Sequence, residues 1–211
     1  MGRTCPALTC LFSALVACLS LASCVWQPQV VEGVTYETTH DADGDGVVDS
    51  DDIVASARSY VETRPRYGSA YYVCGRPDDG QGVCTDVVDQ ALLGAGYDLM
   101  RLVDADIRTS PEAYPEVEAA DANIDFRRVR NLRIYFDRHA LSLTLDATDT
   151  DAWAGGDIVC WADHIGIVSD RRSASGRTLI IHHAGPFQLS FEQDVLDTGA
   201  FGPIVGHWRL P

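Results

Sequence analysis

Positive charge is scarce in this chain. Lys and Arg together number 16 of 211 residues, against 31 Asp and Glu, for a net charge of −15 at pH 7. A surface of that sign repels phosphate backbones and anionic headgroups, which excludes nucleic-acid binding. Long apolar runs are few as well. The run from Ala7 to Ala22, about sixteen residues behind the lone cation Arg3, is too short for a comfortable membrane span and reads as a secretory leader over Met1–Ser23. Internal repeats and low-complexity tracts are missing. What remains is long enough for one domain with its own core.

Cysteine becomes scarce once the leader is set aside. Cys5, Cys10 and Cys18 lie inside it, so three of the seven leave and four remain. Leu21-Ala22-Ser23-Cys24 stands where the apolar run stops and resembles the lipobox of bacterial lipoproteins. The resemblance implies a mature N-terminus at a lipidated Cys24 and a domain held against a membrane on its extracytoplasmic face. Each buried methylene of such an anchor contributes about 0.8 kcal/mol. Cys74 and Cys160 would then sit where disulfides can form; two separate buried thiols are expected, with a bridge as the alternative. Losing Arg3 leaves 15 basic against 31 acidic residues, a net charge of −16.

Residues 24–40 form a weakly patterned tether. His40-Asp41-Ala42-Asp43-Gly44-Asp45-Gly46-Val47-Val48-Asp49-Ser50-Asp51-Asp52 follows. Taken as a twelve-position loop over residues 41–52, it has Asp41, Asp43 and Asp45 at one, three and five and Gly46 at the turn. Val47 offers a carbonyl at seven, and Asp49 and Asp52 stand at nine and twelve. This is the oxygen-ligand spacing of an EF-hand calcium loop, with Asp for the usual final Glu, and is similar to single loops of dockerin-type repeats. Ca²⁺ is expected to fix the entry to the domain. No second loop is present to make a sensor.

The main domain, residues 53–211, opens with a helix expected over Ile53–Glu62 and ended by Pro65. Gly80 and Gly82 then lead into Cys84, followed by Val87, Val88, Ala91, Leu92 and Ala95 at helical spacing, with Gly94 and Gly96 at the close. A cysteine on a helix's first turn lies among unpaired N–H groups at the positive end of the macrodipole, and both favour the nucleophilic thiolate. Further helices are expected over Asp98–Tyr114, with an irregular exit broken by Pro111 and Pro115, and over Leu132–Leu141, with the charged segment Ala120–Asn131 as a loop. After Gly156 the pattern changes to strands: Asp157–Trp161, His164–Ser169, Thr178–His182 and Ile204–Arg209. Helices first and an antiparallel sheet after give an α+β domain.

A thiolate nucleophile needs a base and a group that orients it. His164 begins a strand, and the neighbouring strand of the hairpin ends in His182-His183. Antiparallel return brings those ends together, and side-chain alternation allows only one of the pair to face His164. His182 is the choice, with His183 the alternative.

The order Cys84, His164, His182 resembles the NlpC-type, papain-like bacterial cell-wall cysteine peptidases and their amidase relatives, nearest the uncharacterised domain of unknown function 1287 family. The matching residues are Tyr71-Tyr72, Gly82 to Val88, Asp121 with Asn123 to Val129, and Asn131-Leu132. Further on come Gly156 to Val159, His164 to Asp170, Ile181-His182 and Gly206 to Arg209. The resemblance spans the chain from Ile53 onward. It implies Cys84 as nucleophile, His164 as general base, His182 as the third polar residue and Tyr72 near the substrate amine. Asp86 and His183 join it as candidate substrate contacts, and no cofactor is needed for catalysis. Asp89-Gln90 and His183 depart from the pattern. Arg127 and Arg128 either clamp a substrate carboxylate or pair with Asp121 or Asp125. The expectation is a monomeric, lipid-anchored hydrolase of amide or peptide bonds in peptidoglycan stem peptides. A same-fold amidase or acyltransferase with another substrate, or a calcium-dependent binding module whose triad is idle, is the alternative.

Overall fold

A computed structural model describes residue 1, residues 30–33, residue 36 and residues 38–211. Residues 2–23 of the leader, Cys24 and the first part of the tether lie outside the described residues. β1 (Val30–Glu32) belongs to the stretch expected as tether, yet it pairs antiparallel with Arg171–Ser173. The middle of that stretch is therefore part of the sheet.

α1 (Asp49–Glu62) starts four residues before the expected Ile53 and takes in the end of the acidic loop. Asp49, Asp51 and Asp52 fill its first turn, where carboxylates oppose the positive end of the macrodipole. β2 (Arg66–Tyr67) and β3 (Gln81–Gly82) then make a short parallel pair. They deliver the chain to α2 (Cys84–Gly94), which starts and ends as its spacing predicts. α2 buries Val87, Val88, Ala91 and Leu92 against Ile53, Val54 and Ala57 of α1. α3 (Leu99–Thr109) stops short of the expected Tyr114, because Pro111 opens a separate 3₁₀ turn. α4 (Val129–His139) begins three residues earlier than expected.

One seven-stranded sheet carries the remainder. Its order is β4 (Leu141–Ser142), β9 (Ile204–Arg209), β5 (Ile158–Trp161), β6 (Ile165–Ser173), β7 (Thr178–Ile181) and β8 (Glu192–Gln193), with β1 beside β6. Every pairing in it is antiparallel, which makes the molecule α+β. β6 continues to Ser173, four residues past the expected end at Ser169. One face of the sheet, with Ile158, Cys160, Ile165, Ile167 and Ile181, packs on the helices. The other face, with Val159, Trp161, Val168 and Ile180, is covered by Trp153, Leu196 and the segment carrying Phe201. No helix among the described residues is long and apolar enough to cross a membrane.

Candidate active site

Cys84 is the first residue of α2, and the Ile165 backbone N–H, together with those of Cys84 and Thr85, faces its sulfur. Its side chain looks into the core, and the residue is 8% exposed. Burial pushes the thiol up to about 11, against the lowering effect of those three N–H groups. Among the described residues the thiol makes no hydrogen bond to an imidazole, and Cys74, Cys84 and Cys160 are all free. Cys74 is exposed and Cys160 buried, so the bridge considered from sequence is not made, and Cys74 is not the buried thiol expected.

His164 immediately precedes β6, one residue from the Ile165 amide that faces the sulfur. Its Nε2 lies 2.9 Å from His182 Nδ1. Of the two adjacent histidines, it is therefore His182 that reaches His164. The bond occupies Nε2, and His164 packs against Trp161 and Phe201 while Cys84 lies in the helix-side core, so the structure does not bring the imidazole and the sulfur into contact. Burial lowers His164 to about 4, helped by His183, and lowers His182 to about 3, helped by His164. Both rings are neutral at pH 7. Two aromatics that the sequence did not single out hold the pair. Phe201 stacks on His164 with ring centroids 4.1 Å apart, and Trp161 lies at 5.7 Å. Only the folded chain brings a residue from position 201 to this strand end; no periodicity announces it.

His183 turns to the other face of the sheet. It meets Tyr67 and Phe191 edge-on at 5.1 and 4.9 Å and lies near Gly82 and Asp86. Asp86 is committed to partners inside the protein. It is the third residue of α2 and accepts the Val83 N–H at 2.8 Å, which satisfies a donor at the helix start. It also accepts both arms of Arg127, at 2.7 and 3.0 Å. Arg127 is thus corrected on both counts: it is buried, it binds Asp86 and the Ala70 carbonyl, and it touches neither Asp121 nor Asp125. Its guanidinium lies over the Tyr72 ring at 4.9 Å, while the Tyr72 hydroxyl donates to Asp79. Arg128 stays at the surface, 4.0 Å from Asp125. The unexpected Asp89 is buried and bound by Arg76 at 2.7 and 2.9 Å, which ties the segment before the nucleophile to the middle of α2.

The acidic loop is partly as its spacing implies. Carboxylate oxygens of Asp41, Asp43 and Asp45 converge within 4.8 Å. Asp52 Oδ2 is buried without a hydrogen-bond partner, and its carboxyl is raised by burial and by Asp45, Asp43, Asp49 and Asp41. Three converging carboxylates, with an unpaired carboxylate oxygen at the end of the same loop, make a donor set that suits a hard cation, although Asp52 itself is not within the converging group. Val47 is exposed, with its backbone N–H donating to Asp45 Oδ1. Asp49 departs from the expected ligand set. It is committed to His40 Nδ1 at 2.7 Å, the Ala42 N–H at 2.8 Å and the Tyr97 hydroxyl.

His207 lies away from these centres. It is buried between the Thr144 carbonyl and Asp157 and stacked on Trp153 at 3.6 Å.

Comparison with known proteins gives a family and no function. The chain is 37% identical over 169 residues to the uncharacterised protein YijF of Escherichia coli (strain K12), covering 74% of this chain and 80% of that protein. No solved structure matches. The family model described as "Domain of unknown function (DUF1287)" matches residues 54–210, from the second turn of α1 to the end of β9, and the chain belongs to that family.

Proposed function

We propose that this protein is a cysteine hydrolase of amide or peptide bonds with a papain-like, NlpC-type arrangement. The observation that carries the reading is the 2.9 Å His164–His182 bond at the start of β6, beside the strand amide that faces Cys84 at the head of α2. A helix-start thiol, a strand-start imidazole and a third polar residue on the next strand are the parts that acyl transfer requires. In the reaction His164 Nδ1 takes the Cys84 proton as sulfur attacks the carbonyl. N–H groups at the helix start receive the oxyanion. The imidazolium then gives its proton to the leaving amine, and water cleaves the thioester with His164 again as base. Because the resting thiol is raised and His164 lowered, the pair rests as thiol and imidazole, and substrate must bring them into contact before proton transfer.

The substrate class we infer is the stem peptide of peptidoglycan. The lipobox-like Leu21–Cys24 supports an extracytoplasmic, lipid-anchored location where that polymer is at hand. Ca²⁺ is proposed as a structural ion held by Asp41, Asp43, Asp45 and Asp52, supported by the convergence of the first three and the orphaned oxygen of the fourth. Cys84→Ala should abolish cleavage of purified muropeptides and leave the melting temperature near wild type. Equal cleavage by both proteins would discard the hydrolase. A second reading, a calcium-dependent binding module with an idle triad, is favoured by the 8% exposure of Cys84 and its missing bond to imidazole. Binding of muropeptides without turnover by wild type would select it.

A further inference from the structure

His182 has one nitrogen without a partner. Its Nδ1 is taken by His164, while its Nε2 is fully buried and unbonded among the described residues. A buried ring nitrogen left unpaired is costly, so what faces it matters. Ile180 pairs with Gln193 across β7 and β8, and Ile181 with Glu192. Two residues further along β7, His182 shares the face of Ile180. Gln193 is therefore its diagonal neighbour on that face, at a separation a long side chain spans. The Gln193 amide is oriented as well. Gln188 Nε2 donates to Gln193 Oε1 at 3.1 Å and to the His182 carbonyl at 3.1 Å, while Gln188 Oε1 accepts the Ala184 N–H at 2.6 Å. That arrangement presents Gln193 through an acceptor oxygen with a second lone pair to offer.

We propose that Gln193 is a positioning residue for the imidazole pair: Oε1, held by Gln188, takes the His182 Nε2–H and so fixes the tautomer of both rings. A proton on His182 Nε2 makes Nδ1 an acceptor. His164 must then donate to it through Nε2–H, and its Nδ1 is left unprotonated for the Cys84 thiol. The opposite tautomer puts a hydrogen on His164 Nδ1, where it cannot accept the thiol proton. The chain from Gln188 through Gln193, His182 and His164 thus has one direction, set at its outer end by an amide. The catalytic meaning of this chain rests on the hydrolase reading; the tautomer assignment does not.

The test is nitrogen NMR on the full chain carrying ¹⁵N-labelled histidine at neutral pH. Both Nε2 atoms of His164 and His182 are expected as protonated, pyrrole-type nitrogens and both Nδ1 atoms as pyridine-type. Gln193→Glu keeps an acceptor and should retain this pattern. Gln193→Met, and Gln193→Asn with an amide one methylene too short, should mix the tautomers. Both should lower kcat on muropeptides by about tenfold to a hundredfold with KM unchanged, the scale on which outer partners of functional imidazoles act. A proton on His182 Nδ1 in the wild-type protein overturns the proposal, whether or not either variant folds. So does an unchanged tautomer pattern in folded Gln193→Met or Gln193→Asn. If wild type turns over no muropeptide but the tautomers respond as stated, Gln193 keeps its role and the hydrolase reading alone falls.

Discussion

Arg127 and Arg128 are adjacent in the chain and opposite in circumstance. The side chain of Arg127 is 0% exposed and paired with Asp86, itself 3% exposed; that of Arg128 is 44% exposed and 4.0 Å from Asp125. Removing one member of a buried pair strands the other charge, so Arg127→Ala should cost about 3–5 kcal/mol. Arg128→Ala should stay within about 0.5 kcal/mol. Urea unfolding of both variants checks the contrast, and equal losses would mean the Asp86 pair is not the lock it looks to be. Nothing in the run Phe126-Arg127-Arg128-Val129 separates the two arginines, because a 3₁₀ turn of three residues, ending at Arg127, is too short for its period to show in the sequence. The helix-start position of Cys84 and the pairing of His164 with His182 were legible for the contrary reason: a helix start and two hairpin ends can be counted along the chain. The lowered histidines also have a consequence in solution. Burial, with neighbouring imidazoles, brings His164 to about 4 and His182 to about 3, while the unfolded chain titrates near 6.5. Between those values the unfolded state binds more protons. Stability from this pair is therefore complete above about pH 6.5 and is lost as pH falls toward 4. The urea midpoint should fall more steeply over that window in wild type than in His164→Asn; parallel profiles would contradict the assignment.

The two ends of α2 carry different duties. Its first residue is the thiol, and its last turn meets the acidic loop. Gly96, at φ +84°, leaves so little room that a Cβ there would stand 3.1 Å from Asp43 Cβ, and Tyr97 donates to Asp49. Carboxylates at the negative end of a helix macrodipole are unfavourable unless a cation sits among them. Calcium bound by the loop should therefore stiffen the helix that presents Cys84. At about 100 times its Kd, the ion adds about 2.7 kcal/mol by linkage. For a chain of this size that is a rise of roughly 5–10 °C in melting temperature. Gly96→Ala forces a left-handed residue costing about 1–2 kcal/mol and presses on Asp43. It should melt lower without calcium and gain less from it. Chelation that leaves the wild-type melt unmoved would remove calcium from the fold. The limits of α2 were readable from its glycines and apolar period. α1 began earlier than expected because acidic residues assigned wholly to a loop also suit a helix's first turn. β1, β2, β3 and β8 have two or three residues each, too few for alternation to register.

Across the whole molecule every basic side chain other than histidine is arginine; the sequence contains no lysine. The buried carboxylates of Asp86, Asp89, Asp106 and Asp157 each meet a guanidinium fork, from Arg127, Arg76, Arg138 and Arg209 respectively. A planar fork matches a carboxylate in two bonds, and the pairing neutralises interior charge on the spot. Most of the negative excess of −15 is thereby left to the surface, a division that a charge total reveals only as a sum; among the described residues, Asp49 and Asp125 are the buried carboxylates without such a fork. Surface repulsion of that size opposes compactness over distances that salt controls. The Debye length shrinks from about 30 Å at 0.01 M to about 3 Å at 1 M. Against this stand the exposed pairs Arg108–Asp104, Arg130–Glu116 and Arg177–Asp194, which salt would weaken. Such pairs contribute about 0–1 kcal/mol each, so relief of repulsion should win. Without calcium, the melting temperature should rise as sodium chloride increases from about 0.01 M to about 1 M. With calcium the rise should be smaller, because the densest acidic cluster is then already neutralised. A melting temperature that falls with chloride would mean the few exposed arginine pairs outweigh the net charge, and the surface would have to be re-argued pair by pair.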